Sequence, residues 1–130
     1  MILSVTGHFD AAHKLVGYNG KCANLHGHRW EVIAKFEGHE INKLGMVVDF
    51  GDLKSMVNCV IDKFDHSYLN DSELIQGNPT AENIIMVIYS RICRQLNIFF
   101  PTSIDLVSVE LFETPGCSVI YKGEKINVYK

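Results

Sequence analysis

The chain has 130 residues, 47% of them hydrophobic and 21% charged, which bounds it to a single domain over residues 1–130 with one core. A formal net charge of −3 and a pI near 6.0 provide no basic footprint, which argues against nucleic acid as a partner. No apolar run of about 18 residues and no signal-peptide pattern occurs, so no membrane contact is expected and the expected localisation is cytoplasmic.

Residues 2–12 hold β-branched and aromatic side chains in loose alternation, with Leu3, Val5 and Phe9 on one face, and read as a strand. Residues 14–25 contain Gly17, Asn19, Gly20 and Asn24 and read as a loop that delivers Cys22 toward His26 and His28. The clearest strand spans 28–37, where His28, Trp30, Val32, Ala34 and Phe36 alternate with polar neighbours. Gly45–Asp49 reads as a short extended piece.

The period then changes. Phe50, Leu53, Met56, Val57, Val60, Ile61 and Phe64 recur at spacings of three and four, the mark of an amphipathic helix started by Asp49 or Gly51. Asp65–Asp71 breaks that pattern as a polar loop. A second helix begins with Thr80 as N-cap and Glu82 in the first turn, buries Ile84, Ile85, Ile88, Ile92 and Leu96, and runs to about Asn97 before Pro101. Residues 104–113 alternate again, Thr114-Pro115-Gly116 turns the chain, 117–122 returns, and Gly123 opens a short terminal strand. Strands first, then two helices, then strands imply an α+β fold: an antiparallel four-stranded sheet with both helices on one face. Such a sheet has two open edges, which implies an oligomer joined edge to edge.

Of the four cysteines, Cys59 and Cys93 fall in helical sequence and read as small buried hydrophobes, while Cys117 has no histidine close to it in sequence. Cys22 stands in Cys22-Ala-Asn-Leu-His26-Gly-His28. In a strand His26 and His28 share a face, which makes half of a zinc site. His13 ends another candidate strand; if the two strands are neighbours, three neutral imidazoles converge and one coordination position stays open. Three ordinary hydrogen-bonded histidines are the competing reading. Cys22 is either a fourth ligand that closes a structural site or a free thiolate beside the metal. Asp65-His66 is either a solvated turn or a carboxylate holding an imidazole for proton transfer. Glu113 is an acid on an otherwise apolar strand face, either at its wet end or anchoring a cationic or amidine-like ligand.

Phe9-x-Ala-Ala-His13, Cys22-x3-His26-Gly-His28, Asp49-Phe50-x-x-Leu53-Lys54, Asp65-His66, Pro79-Thr80-x-Glu82-Asn83 and Glu113-Thr114 occur in one order along nearly the whole chain. In this the chain resembles the 6-pyruvoyl-tetrahydropterin synthase/6-carboxy-tetrahydropterin synthase family. The resemblance implies the tunnelling fold (T-fold), in which trimers close their sheets into a barrel and two trimers stack as a homohexamer. It implies Zn2+ held by His13, His26 and His28, with Cys22 as the catalytic thiol. It implies Asp65 and His66 as a proton relay supplied by a neighbouring subunit. Glu113 is then the carboxylate that grips the aminopyrimidinone edge of a pterin, with Thr80, Ala81 and Glu82 lining the same pocket. Ala81 stands where some relatives have threonine, so only a backbone contact survives there. The implied substrate is the pterin triphosphate 7,8-dihydroneopterin triphosphate.

Three residues between Cys22 and His26 resemble the bacterial 6-carboxy-tetrahydropterin synthases of queuosine (7-deazaguanine) biosynthesis, whose reaction releases acetaldehyde and triphosphate. The alternative branch eliminates triphosphate and keeps a 6-pyruvoyl chain. A non-catalytic zinc- or pterin-binding module is a third reading, against which Cys22, Asp65 and His66 stand.

Overall fold

The structure, a computed structural model, describes residues 1–101 and 103–129. Strand β1 (Ile2–His13) alternates strictly, burying Leu3, Val5, Gly7, Phe9, Ala11 and His13. Strand β2 (His26–Gly38) does the same with Trp30, Val32, Ala34 and Phe36 and pairs antiparallel with β1 along its whole length. Two strands that each bury alternate residues pair in the one register that puts both apolar sets on the same face. That register sets Phe9 opposite Trp30, Ala11 opposite His28 and His13 opposite His26.

Helix α1 (Phe50–Ile61) starts at Asp49, whose side chain accepts from the Gly51 N–H, and buries Leu53, Met56, Val57, Val60 and Ile61. Helix α2 (Ala81–Phe99) starts at Thr80, whose hydroxyl accepts from the Asn83 N–H. Its buried stripe is Ile84, Ile85, Ile88, Ile92 and Leu96, each contributing about 2 kcal/mol by leaving water. Both stripes join one core cluster with the inward residues of the sheet. The approach is close at Gly7, where an added Cβ would stand 2.7 Å from Ile61 Cδ1.

Strand β3 (Ser67–Tyr68) pairs parallel with β1 at Ala11 and Ala12. Strand β4 (Ile104–Thr114) lies antiparallel on the far side of β2, and β5 (Cys117–Tyr121) returns beside it. The sheet order is β3-β1-β2-β4-β5.

The expected α+β class holds, with corrections. The sheet has five strands rather than four, and it is mixed rather than purely antiparallel. Two residues are too short for any periodicity to announce β3. Gly45–Asp49 forms no strand; Asn42 gathers the Leu44 and Met46 N–H groups on its side-chain oxygen and makes a turn instead. Among the described residues no terminal strand follows Gly123, whose positive φ of 84° turns the chain while Glu124 accepts from the Lys122 N–H. Phe64 lies beyond α1 yet is fully buried, and Phe50 is 60% exposed. Cys59 is exposed rather than buried, because its place on α1 lies off the stripe that faces the sheet. No helix among the described residues is long and apolar enough to cross a membrane.

Candidate active site

The β1–β2 register assembles the centre. His13 and His26 face each other as the last and first residues of their strands, and His28 follows on the same face. Their rings meet edge to face, with centroids 4.6–5.2 Å apart. Glu113, near the end of β4, brings its carboxylate to the same place: Oε1 is 3.2 Å from His28 Nε2 and 3.7 Å from His13 Nε2. Leu111 and Val109 precede it on the same buried face. Between β4 and β5 the register slips at Glu113, a bulge of the kind that re-aims a side chain near a functional site. One donor atom from each of His13, His26, His28 and Glu113 lies within 4.8 Å of the others, a group able to hold a metal ion.

The tautomers agree with that use. His13 Nδ1 is 2.8 Å from the Pro79 carbonyl and His26 Nδ1 is 2.7 Å from the Asn24 carbonyl. A carbonyl only accepts, so both rings carry their proton on Nδ1 and present a bare Nε2. Those two Nε2 atoms are 3.0 Å apart, and with each ring's single proton on Nδ1 none lies between them. Two lone pairs at that distance repel unless a cation sits between them. His28 Nε2 is buried without a hydrogen-bond partner, since Glu113 Oε1 lies near but out of line. Burial lowers the His28 pKa, more than the Glu113 carboxylate raises it, and so favours the neutral ring.

Cys22 lies in a single 3₁₀ turn, Lys21–Ala23, and is half-buried. Two amide side chains pin its loop by imitating a strand. Asn70 exchanges both hydrogen bonds with the Lys14 backbone, and Asn78 does so with Val16. The Leu15 N–H closes the loop on the Cys22 carbonyl at 2.8 Å. Glu113, not Cys22, is the non-histidine donor in the metal-holding group.

Asp65 and His66 form a pair on the turn between α1 and β3, with His66 Nδ1 2.8 Å from Asp65 Oδ2. His66 has φ +53°, in the left-handed region that few residues other than glycine adopt. The backbone of Asp10 holds it there. The Asp10 N–H donates to Asp65 Oδ1 at 2.9 Å, and the Asp10 carbonyl accepts from the His66 N–H at 2.6 Å. The Asp10 N–H, and after it the His66 ring, hold the Asp65 carboxyl below its usual range; Asp65 in turn raises the His66 pKa.

Two open concavities of about 470 Å³ each meet at Gly27, His28 and Arg29. One continues to Glu113 and Thr114, the other to Asp10 and His66. Thus the histidine group and the Asp65–His66 pair border adjoining space. Thr80 is engaged as the N-cap of α2, Ala81 is half-buried, and Glu82 is exposed in the first turn. The Pro79 carbonyl beside them orients His13. Sequence reasoning missed Asp10, Arg29 and the two carbonyls of Asn24 and Pro79. A backbone carbonyl leaves no residue-type signal, and Asp10–Arg29 is visible only once the register is known.

A two-layer α+β domain with three imidazoles and a carboxylate at one end of its sheet defines a class of proteins able to hold a metal ion there. This chain belongs to the 6-pyruvoyl tetrahydropterin synthase family, whose family model matches residues 2–124. Over 129 aligned residues it is 36% identical to 6-carboxy-5,6,7,8-tetrahydropterin synthase of Rickettsia felis, covering 85% of this chain and 92% of that protein. It is 32% identical over 108 residues to 6-pyruvoyl tetrahydrobiopterin synthase of Dictyostelium discoideum, covering 81% and 76%. The solved structure of Caenorhabditis elegans 6-pyruvoyl tetrahydropterin synthase superposes with a TM-score of 0.81 at 29% identity, over 95% of this chain and 96% of that one.

Proposed function

We propose that this protein is a zinc-dependent 6-carboxy-5,6,7,8-tetrahydropterin synthase acting in queuosine (7-deazaguanine) biosynthesis. It converts 7,8-dihydroneopterin triphosphate and water to 6-carboxytetrahydropterin, acetaldehyde and triphosphate, a carbon–carbon lyase reaction. The observation that carries the reading is the convergence of three bare imidazole nitrogens in a chain aligned over 92% of a relative bearing that name.

His13, His26 and His28 would hold the zinc. Three imidazole nitrogens whose atoms lie within 4.8 Å of one another suit it, since neutral imidazole is a common zinc ligand. When bound, the ion acts as a Lewis acid that stabilises negative charge on the side-chain oxygens. Cys22, as thiolate, removes a proton from the side chain, and His66, oriented by Asp65, exchanges protons on the opposite side. Glu113 grips the aminopyrimidinone edge through two parallel hydrogen bonds, which fixes the pterin against the reacting groups. Its position beside His28, facing a 470 Å³ concavity, supports that role. Thr80, Ala81 and Glu82 line the pterin pocket.

The assembly is a homohexamer, a dimer of trimers whose sheets close into barrels, with Asp65 and His66 serving a neighbouring subunit's zinc. The edge of β1 supports this, because β3 covers it only at Ala11 and Ala12. The Dictyostelium relative supports a second reading, 6-pyruvoyl-tetrahydropterin synthase. Mass analysis of the products formed by zinc-loaded protein from 7,8-dihydroneopterin triphosphate separates the two. A 6-carboxytetrahydropterin with acetaldehyde is expected; a 6-pyruvoyl product with triphosphate would transfer the assignment to the second reading.

A further inference from the structure

The exposed face of the sheet carries a network that joins β1 and β2 to the turn bearing His66. Asp10 and Arg29 are cross-strand partners, and the guanidinium reaches the Asp10 carboxylate with Nε–Oδ1 at 3.1 Å and Nη2–Oδ2 at 3.4 Å. The backbone of Asp10 meanwhile holds Asp65 and His66. Donor atoms of Asp10, Asp65 and His66 lie within 4.8 Å of one another, so Arg29 stands near two carboxylates. A guanidinium takes a carboxylate by both oxygens when it can. Asp65 Oδ1 already accepts from the Asp10 N–H and Oδ2 lies 2.8 Å from His66 Nδ1, so a guanidinium taking both oxygens would compete with the His66 ring for Oδ2.

We propose that the Asp10 side chain is a positioning residue for the Asp65–His66 pair: by occupying the Arg29 guanidinium, it reserves Asp65 Oδ2 for His66 Nδ1. The inference rests on reading Asp65–His66 as the proton relay. The charged groups facing His66 are Asp65 on its own turn, Asp10 on β1 and, behind Asp10, Arg29 on β2. With Asp10 in place, Nδ1 of His66 donates to Asp65 and Nε2 is left to exchange protons. Without it, Arg29 is released to pair with Asp65, and the imidazole loses both its orientation and its fixed tautomer.

The decisive experiment compares Asp10→Ala, Arg29→Ala and the double variant, each as zinc-loaded full-length protein with metal content measured. Two readouts are taken: kcat and KM for 7,8-dihydroneopterin triphosphate, and the 15N NMR tautomer of the His66 ring, which needs no turnover. Asp10→Ala is expected to lower kcat about tenfold or more with little change in KM, since a mis-set general acid–base group forfeits part of its effect. The same variant is expected to lose the Nδ1–H tautomer. Adding Arg29→Ala is expected to recover most of the activity and the tautomer, which a purely structural role for Asp10 would not allow. A double variant no better than Asp10→Ala, or an unchanged His66 tautomer in Asp10→Ala, overturns the proposal. Asp10→Asn replaces Asp10→Ala if the latter does not fold, and Arg29→Gln replaces Arg29→Ala if metal is lost beside His28. Wild-type turnover by Asp65→Asn and His66→Asn would instead sink the relay reading, while the NMR readout still judges the positioning.

Discussion

Nε2 of His13 and Nε2 of His26 stand 3.0 Å apart, while the other nitrogen of each ring is committed to a backbone carbonyl. This pair is set against itself: both protons point away and both lone pairs point inward. Only a bridging cation or an added proton relieves it. The arrangement suits a metal ion, and its origin is the cross-strand register that places residue 13 opposite residue 26.

Metal should accordingly stabilise the protein. A Zn2+ activity of 100 times Kd is expected to add about 2.7 kcal/mol to unfolding stability by mass action, read as a rise in Tm on titration. His13→Ala and His26→Ala are expected to abolish that rise. Zinc-induced stabilisation that survives in both variants would place the metal elsewhere.

Cys22→Ala should separate binding from chemistry. Glu113 rather than the thiol joins the histidine group, so the variant is expected to keep its zinc while losing turnover by about 10²–10⁴-fold, the usual worth of a general base. Elemental analysis and product assays on one preparation check both halves. Loss of zinc would make Cys22 a ligand.

The Asp65–His66 pair has a defined pH window. The His66 pKa is raised from 6.5, so its contribution to stability is complete below 6.5 and lost as pH rises through the folded value. The Asp65 pKa is lowered from 3.8, so its contribution is complete above 3.8 and lost as pH falls through the folded value. The pair thus contributes most between pH 3.8 and 6.5, and modestly, because His66 is 79% exposed. In Asp65→Asn the His66 NMR titration midpoint is expected to move down; an unmoved midpoint would mean that the 2.8 Å contact does not persist in solution.

Thr80→Ala removes the side-chain cap of α2 and is expected to cost about 1 kcal/mol in urea unfolding. Because the Pro79 carbonyl that orients His13 is the preceding residue, the same variant should also weaken zinc affinity. A stability loss with unchanged affinity would mean that β1 alone fixes the ring.

Much of this molecule was legible without a fold. Alternation placed His26 and His28 on the face of Trp30, the three–four spacing of Leu53 through Ile61 marked α1, Thr80 announced the start of α2, and α1 starts at Asp49, one of the two starts (Asp49 or Gly51) that the sequence offered. These properties are local, decided by backbone period and by side chains a few residues apart. What only the tertiary structure decided involves partners far apart in sequence. The antiparallel register brought His13 to His26, the bulged end of β4 carried Glu113 to His28, and β3 paired parallel with β1 although nothing in Ser67-Tyr68 marks a strand. Cys59 likewise looked like core and lies exposed, since a helical residue's face depends on where the sheet stands. Periodicity tells which side chains share a face; which face meets which, and at what register, is settled only when the whole core packs at once.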